Sequence, residues 1–340
     1  MNRIFTSIAA MLLLVCANNV YAQEYVIKMK TAHKVGEWMG FSIQSNNSPV
    51  EIIGAEYVDG DFKVTAQEIE LRGKITRLDC SSNWLESIDV SGNPLLIELY
   101  CDNNRLTDIK LGNQPNMTEL YVGDNQLSTI DLSGLPALTS LSCYKNNLTT
   151  LDLSKNKELL ELVCRENSLS GALDLSANSK LQKVACYNNA ITSIKLAPDN
   201  CVGKMEIERN NINGENMTSL VKSLPEFKEI EGYTDWYGMD PQAFYPFEYA
   251  TDLEKNVFTS SDLAILKAKN WPVYAVDDVN VFDDLKEVDE TMTGISQVSE
   301  TGNTQTSAFD LSGRAVPVSN MHHGLYIIRR GNKTKKIMMK

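Results

Sequence analysis

Residues suited to catalysis are scarce in this sequence of 340 residues. It contains three histidines: His322 and His323 are adjacent near the C-terminus, and His33 stands alone. A Gly-x-Ser-x-Gly elbow, a His-Glu-x-x-His pair and a phosphate-binding glycine loop are all absent from the sequence. The sequence therefore predicts a protein that is not an enzyme and that uses no cofactor.

Positively charged residues are fewer than negatively charged ones, and the formal net charge is -12 at pH 7. Such a surface repels a phosphate backbone, which argues against nucleic acid as a partner and favours cationic or neutral ligands. The acidic runs lack the ordered ligand spacing of an EF-hand loop, so they predict solvated surface and no metal, with calcium binding as the alternative. These runs include Asp59, Asp61, Asp277, Asp278, Asp283 and Asp284.

Long apolar runs are absent except at the N-terminus. Residues 1–22 combine a short polar start containing Arg3, a mostly apolar stretch from Ile4 to Cys16, and small residues before Gln23. This order predicts a secretory signal peptide, and hence an exported protein with no transmembrane segment in its mature chain. One alternative is an uncleaved anchor, although the run is shorter than the roughly 18 residues that span a bilayer. The other alternative is a lipoprotein site at Cys16.

What the sequence has in abundance is a repeat. Between residues 75 and 212, asparagines recur in steps of 21 residues, with a single step of 22. Counting each of the seven units from its first apolar residue, such as Ile75 or Leu96, positions four and eleven are also apolar. One coil cannot bury so many apolar side chains alone, so neighbouring coils must stack and share a core. The asparagines, at position nine, are Asn83, Asn104, Asn125, Asn146, Asn167, Asn189 and Asn210.

The pattern Leu-x-x-Leu-x-(Cys or Leu)-x-x-Asn-x-Leu resembles the leucine-rich repeat family. The resemblance implies a solenoid in which each unit contributes one short parallel strand, from about its third to its seventh position. It also implies that the asparagine turns inward, where its amide satisfies backbone groups of the bend. Because a coil of 21 residues leaves little room for a helix on the convex side, we expect turns and short 3₁₀ segments there.

Cysteine occupies position six in five of the units, where the side chain faces the core. Stacked strands about 4.8 Å apart hold these side chains parallel, which does not suit a disulfide, and a straight row does not suit tetrahedral zinc, the weaker alternative. We therefore predict reduced, buried thiols that pack as small apolar groups. Such a ladder resembles internalin-like bacterial surface proteins, and this resemblance implies host-protein or carbohydrate ligands. The ladder consists of Cys80, Cys101, Cys143, Cys164 and Cys186, whereas Cys201 lies outside it.

Positions three, five, seven and eight are expected to face away from the core and to form one continuous concave surface. Position five places Tyr100 beside Tyr121, and position seven places Tyr144, Arg165 and Tyr187 in consecutive coils. Tyrosine and arginine supply large contact area at small entropic cost, which favours ligand contact over the alternative, simple stabilisation of adjacent strands. Position three adds a charged rim of Arg77, Glu98, Glu119, Glu161, Lys183 and Lys204.

The segments that flank the repeats have different patterns. Residues 23–74 alternate between apolar and polar side chains around an Asp59-Gly60 turn, which predicts a β-rich N-terminal cap. Residues 213–281 predict an irregular α/β C-terminal cap, with one helix capped by Asn216, a second beginning at Ser260 or Ser261, and a strand over residues 271–276. Residues 282–305 are acidic and then rich in Ser, Thr and Gly, which predicts a linker.

The last 35 residues, 306–340, combine a turn, a strand and closing lysines. The turn reads Asp-Leu-Ser-Gly-Arg up to Arg314, and the strand contains Gly324, Leu325 and Tyr326. Their order resembles the C-terminal sorting domain of type IX secretion cargo, although this segment is short for that family. The resemblance implies recognition by the secretion machinery, transfer across the outer membrane, removal of the module, and display or release. The alternative is an ordinary β cap.

These features predict a non-enzymatic, adhesin-like recognition protein, at the cell surface or secreted, that binds a protein or glycan on the concave face of a solenoid. One alternative is an accessory module that acts on polysaccharide through the C-terminal aromatic residues and carboxylates such as Asp235 and Asp240. A purely architectural envelope protein is the other. The aromatic residues concerned are Tyr233, Trp236, Tyr237, Phe244, Tyr245, Phe247 and Tyr249.

Overall fold

The computed structural model describes residues 25–46, 48–230, 242–248, 254–276, 286–289 and 292. It also gives the backbone of four strands between residues 307 and 339. The predicted signal peptide, the turn before Arg314, and Tyr233, Asp235, Trp236, Tyr237, Asp240 and Tyr249 lie outside the described residues.

The N-terminal segment is built from short antiparallel strands, as the alternating pattern predicts. The Asp59-Gly60 turn is present, and both residues have the positive φ that a tight hairpin turn requires. It joins two strands of a small three-stranded sheet. The strands are β1 (Val26–Thr31), β2 (Trp38–Met39), β3 (Ser42–Ser45), β4 (Glu51–Ile53), β5 (Ala55–Val58), β6 (Asp61–Val64) and β7 (Glu68–Arg72).

Each coil of the repeat then contributes one short strand to a parallel sheet, so the predicted leucine-rich repeat solenoid is confirmed. All of these strands except β8 occupy positions three to five, and equivalent residues pair directly: Leu99 is in register with Leu78 on one side and with Leu120 on the other. Strand β3 closes the N-terminal edge of this sheet in an antiparallel orientation. The sheet strands are β8 (Ile75–Asp79), β10 (Glu98–Tyr100), β12 (Glu119–Tyr121), β13 (Ser140–Ser142), β14 (Glu161–Val163), β16 (Lys183–Ala185) and β18 (Lys204–Glu206).

The return side of the coils is extended rather than helical. Its strands are β9 (Leu85–Gly92), β11 (Asp108–Lys110), β15 (Ser170–Leu175) and β17 (Ala190–Leu196). The expected turns are present, but the described residues contain no 3₁₀ segment, because the chain here forms parallel bridges to the neighbouring coil.

Leucines and cysteines fill the core, as the periodicity predicts. All five ladder cysteines are fully buried and free, whereas Cys201 is exposed. The sulfur atoms of Cys80 and Cys101 lie 3.3 Å apart, which is van der Waals or weak S–H···S contact and not a covalent bond. Burial raises the pKa of the Cys143 thiol to about 12. The Cys143 thiol therefore remains protonated, and the buried ladder cysteines pack as small apolar groups.

The position-nine asparagines turn inward and bond to the backbone, as the family resemblance implies. The Asn146 amide nitrogen donates to the carbonyls of Val122, Cys143 and Tyr144, and its oxygen accepts from the Leu127 N–H. The residue before each asparagine has a positive φ of 50 to 60°. This left-handed residue turns the chain sharply and points the following amide into the core.

A second row of buried amides, which the sequence analysis missed, supports the opposite bend. The Asn156 side chain donates to the carbonyls of Leu132 and Leu135, and the Asn178 side chain donates to those of Leu153 and Asn156. The row consists of Asn93, Gln114, Asn156, Asn178 and Asn200. Its spacing follows the same period, so the signal was present in the sequence.

The C-terminal part continues the main sheet through β19 (Phe244–Tyr245), which pairs with β18. Two helices are described, α1 (Gly214–Ser223) and α2 (Ser260–Ala268). The predicted cap of α1 was misplaced, because Asn213 and not Asn216 caps that helix. Helix α2 begins at Ser260, as predicted, and Thr259 forms a capping box with Asp262 at its start. Neither helix has the length and apolar character needed to cross a membrane, and this holds for the whole described part of the chain.

The remaining strands are β20 (Tyr274–Ala275), β21 (Lys286–Glu287), β22 (Ser307–Phe309), β23 (Ala315–Val316), β24 (Gly324–Arg330) and β25 (Lys333–Met339). The strand predicted over residues 271–276 is therefore shorter than expected. Strand β21 pairs with β20, so regular pairing reaches into the stretch predicted as a linker. The last four strands form an antiparallel sheet in the order β23-β22-β24-β25.

Candidate functional site

The solvent-facing side of the main parallel sheet, called the sheet face below, carries the residues predicted to contact a ligand. Strand positions alternate, so position four is buried while positions three and five are partly exposed in strands such as β10, β12 and β14. Tyr100, Tyr121, Tyr144 and Arg165 are each partly exposed on this face. The structure gathers these predicted residues into two clusters.

The first cluster joins Arg77, Tyr100 and Tyr121. The guanidinium carbon of Arg77 lies 4.9 Å from the centre of the Tyr100 ring, and the Tyr100 and Tyr121 rings meet edge to face at 5.0 Å. The Tyr100 hydroxyl donates to the carboxylates of Glu98 and Glu119. Burial and the bond to Glu119 raise the pKa of Tyr100, so the phenol stays neutral. One conformation of the Tyr100 side chain is thus fixed by its contact with the Arg77 cation, by its edge-to-face contact with Tyr121 and by its hydrogen bonds to the two glutamates.

The second cluster places Arg165 between two rings. Its guanidinium carbon lies 4.4 Å from the centre of the Tyr144 ring and 5.4 Å from that of Tyr187, and it also forms an ion pair with Glu166. The prediction that Tyr187 is exposed is wrong, since only 4% of its surface is accessible. It packs with Ala243, Tyr245 and Val276, which belong to the C-terminal part of the chain. Tyr187 therefore supports Arg165 from below and offers no contact surface of its own.

The Tyr144 ring occupies a place that only glycine leaves open. A Cβ atom built on Gly123, in the preceding coil, would come within 2.0 Å of the Tyr144 ring. Gly123 has an ordinary φ, so backbone strain does not require glycine at this position. The absent side chain is what allows Tyr144 to lie flat on the sheet, facing Arg165.

We therefore expect Gly123→Ala to displace the Tyr144 ring while costing little stability, because the ring can rotate away. Ligand affinity should fall by about tenfold, typical of losing one aromatic contact residue. The measurement is binding of the variant to a ligand of the sheet face, with thermal unfolding as a check on the fold. A Tyr144→Ser background is the matched control, since Gly123→Ala should then have no further effect on affinity. A full second loss in that background would contradict the proposed arrangement.

The charged side chains at position three form ion pairs mainly with one another, between neighbouring coils. Arg77 forms an ion pair with Glu98 at 3.0 Å, although the geometry is not that of a hydrogen bond, and Lys183 forms an ion pair with Glu161 at 2.9 Å. Lys204 was expected in this rim, but it is buried, with its ammonium 2.8 Å from Glu206 and 5.7 Å from the centre of the Tyr245 ring. Near the other end of the sheet, the Asp102 carboxylate accepts a bond from the Gly123 N–H at 2.7 Å. Burial raises the pKa of Asp102 to about 6.

Beside Lys204, the structure holds buried carboxylates that the sequence analysis did not single out. Glu208 is fully buried, and neither of its carboxylate oxygens has a hydrogen-bond partner. Burial, and then the charge of Glu206, raise the pKa of Glu208 well above its usual value. The Glu254 carboxylate accepts several backbone N–H groups, including that of Arg209, and burial raises its pKa to about 7. Only the fold shows that Glu208 loses contact with water and that Glu254 is partly shielded from it.

These carboxyl groups make stability depend on pH. Their pKa values in the folded chain exceed the roughly 4.3 of an exposed glutamate, so between these values the folded chain holds protons that the unfolded chain releases. Stability from these groups is therefore present at low pH and is lost as pH rises through the folded pKa. For Glu254 that loss begins as pH rises above about 4.3 and is complete near pH 7.

Glu208→Gln should remove the part of the pH dependence of stability that comes from the Glu208 carboxyl group. At pH 8 the variant should be more stable than the native chain by about 2 kcal/mol, because glutamine needs no buried charge, and near pH 4 the two should converge. Urea unfolding at several pH values measures this difference. As a control, Glu206→Gln, which weakens the pair with Lys204, should be destabilising at pH 8. A Glu208→Gln variant that is less stable than the native chain at pH 8 would show that the acid is ionised and paired.

Across residues 25–230 without 47, and in the shorter described stretches beyond, no three His, Cys, Asp or Glu side chains converge on a possible ion position.

Comparisons with known proteins add only distant structural neighbours. No protein-family model matches the chain, and no curated protein matches it. Internalin C2 of Listeria monocytogenes is 18% identical, with 56% of this chain and 76% of that chain aligned and a TM-score of 0.40. The functional domain of InlJ of Listeria monocytogenes, described as including a cysteine ladder, is 19% identical over 69% of this chain and 60% of that chain, with a TM-score of 0.30. The leucine-rich repeat domain of APL1B is 21% identical over 51% of this chain and 47% of that chain, with a TM-score of 0.35.

Proposed function

We propose that this chain is a non-enzymatic, adhesin-like recognition protein that binds a protein or glycan ligand on the sheet face of its solenoid. The observation that carries the proposal is the pair of arginine–tyrosine clusters on that face. Tyr100, Tyr121 and Tyr144 sit on a sheet whose opposite side already contains a complete leucine and cysteine core. The fold does not need these rings for burial, so their stabilising value to the sheet is small compared with their value as contact surface.

The clusters are also held in place before any ligand arrives. Arg77 and Glu119 restrain the Tyr100 ring, and Arg165 holds the Tyr144 ring against Gly123. A side chain that is already ordered loses little conformational entropy on binding, which improves affinity without adding contacts. The paired charges at position three would then surround the aromatic centre as a polar rim, as in typical protein interfaces.

The accessory-module alternative loses part of its basis. Phe244, Tyr245 and Phe247 were candidates for an aromatic binding platform, but all three are buried. Phe244 and Phe247 pack against Phe258 in the core, which is the role expected of residues that close the last coil.

Export is part of the same proposal. The order of residues in segment 1–22 supports secretion, and the order of turn, strand and closing lysines over residues 306–340 supports a type IX sorting module. The mature protein would then act at the cell surface or outside the cell, and the secretion machinery would be its partner during export.

The proposal is tested by screening the full chain on arrays of extracellular matrix proteins and polysaccharides. We expect at least one saturable ligand, and we expect its binding to be lost when Tyr100, Tyr121 and Tyr144 are changed to serine. A purely architectural protein would bind nothing saturably. Ligands that bind the native and the triply substituted chain equally would place recognition away from the sheet face.

A further inference from the structure

Two exposed tryptophans stand out on the N-terminal flank of the solenoid, away from the sheet face. Trp38 is 49% exposed and Trp84 is 46% exposed, whereas Trp271, the other tryptophan that the structure describes, is buried. Tryptophan is the side chain most enriched at the energetic centres of protein interfaces. Isolated exposed apolar residues need no explanation, but these two belong to one patch.

The patch is continuous through the turn that follows β1. His33 stacks on the Trp84 ring, with a centre-to-centre distance of 4.8 Å and parallel planes, and the His33 Nδ1 lies 3.2 Å from the carboxylate of Glu37. Glu37 directly precedes Trp38, and its carbonyl accepts a bond from the Val64 N–H. Val35, at the tip of the turn, is also strongly exposed. We call His33, Val35, Trp38, Trp84 and their cationic neighbours the flank patch.

Trp84 is held in a backbone conformation that a bulky residue seldom adopts. Its φ is 51°, while the residues at the same position in the other coils, including Arg105, Gln126 and Asn147, do not have positive φ. A strained non-glycine residue persists only where its surroundings hold it, and such residues cluster at functional sites. Asparagine adopts a positive φ more easily than tryptophan does. The presence of a large exposed ring at this position therefore calls for an explanation.

Cations near these rings lack acidic partners. The Arg105 guanidinium lies 4.5 Å from the centre of the Trp84 ring, and the Lys63 ammonium lies 5.9 Å from that of Trp38. Within the described part of the chain, neither forms an ion pair. Nearby lysines behave differently, because Lys28 and Lys30 bond to Glu70 and Glu86. The flank patch thus presents two cations without an ion-pair partner among the described residues, on a chain whose net charge is -12.

From this arrangement we infer that the flank patch is a second interaction surface, and that its partner is an acidic protein segment that places carboxylates on Arg105 and Lys63 beside an aromatic or apolar side chain. Both faces of the Trp84 ring are covered, by His33 and by Arg105. A sugar ring could not stack on it, which favours a protein segment over a glycan. The apolar contact is made by the edge of the Trp84 ring, by Val35 and by the exposed part of Trp38. Arg105 and Lys63 orient the bound segment through its carboxylates.

The test uses the full chain and two defined polymers: a soluble random copolymer of L-glutamate and L-tyrosine, and alginate as an anionic glycan. We expect the copolymer to bind more tightly than alginate. Trp84→Asn and Arg105→Glu should each weaken copolymer binding by about tenfold. Asparagine occupies the same position in the fourth coil, as Asn147, and tolerates positive φ, so the fold should survive.

Two matched controls decide the outcome. Lys110→Asp makes the same kind of charge reversal in the same coil as Arg105→Glu, and aspartate already stands at this position in neighbouring coils, as Asp89 and Asp131. It should leave copolymer binding unchanged, as should Tyr144→Ser on the sheet face. The inference is overturned if the copolymer does not bind, if alginate binds more tightly, or if Lys110→Asp weakens binding as much as Arg105→Glu does. Because the sheet face is tested separately, either surface can fail without the other.

Discussion

Asn146→Ala is expected to lower the free energy of unfolding by about 4 kcal/mol, the largest single effect on stability that the structure implies. The Asn146 amide donates to three backbone carbonyls and accepts from one backbone N–H, all in the interior of a bend. Alanine would leave the buried Leu127 N–H without a partner, whereas the carbonyls of Val122, Cys143 and Tyr144 would each lose one bond and keep another donor. The orphaned N–H costs about 1 to 3 kcal/mol and each of the three lost bonds about 1 kcal/mol, and partial relaxation keeps the total below the upper sum.

The neighbouring residue gives a matched control for this prediction. Asn147 is exposed, and Asn147→Ala should change stability by no more than about 0.5 kcal/mol. Urea unfolding followed by circular dichroism measures both variants under the same conditions. Equal stability of the two variants would mean that the inward amides do not hold the coils together.

The second large effect concerns binding. Changing Tyr100, Tyr121 and Tyr144 together to serine should weaken binding of a sheet-face ligand by at least about a hundredfold, because two or three hot-spot aromatics are lost at once. Stability should fall far less, since the rings lie outside the core and contribute about 0.2 to 1 kcal/mol per neighbouring pair. Titration of the folded variant against the ligand found on the arrays measures the loss.

Tyr57→Ser is the control for this triple substitution. Tyr57 is 65% exposed, but it lies on β5 of the N-terminal segment, away from the sheet face. Its removal should leave affinity within about twofold of the native chain. If Tyr57→Ser and the triple variant weaken binding equally, the effect of the tyrosines comes from general surface change and not from a site.

Periodicity explains why so much of the solenoid could be predicted from the sequence. Each coil repeats the same environment, so a residue type that recurs every 21 positions reports on a shared constraint. For Cys101 and Cys143 the constraint is a small, buried slot, and for Asn104 and Asn146 it is a bend whose backbone groups need an amide. The second amide row around Asn156 had the same period and could have been found in the same way.

The parts that could not be predicted depend on contacts between segments that are distant in sequence. Tyr187 is an outward-facing residue of its own coil, and it is buried only because Tyr245 and Val276 pack against it. Glu208 and Lys204 likewise follow the outward-facing pattern, which contains no information about what covers the last coil. The left-handed backbone of Trp84 and its stack with His33 also depend on the N-terminal segment.

Hydroxyl-radical footprinting of the tyrosines shows whether a ligand binds on the sheet face, because it reports where a bound ligand covers the protein. The full chain is oxidised with and without a saturating ligand from the arrays, and each tyrosine is followed by mass spectrometry. The account predicts that oxidation of Tyr100, Tyr121 and Tyr144 slows on binding while that of Tyr57 does not change. Unchanged oxidation of all three sheet-face tyrosines at full saturation would contradict it.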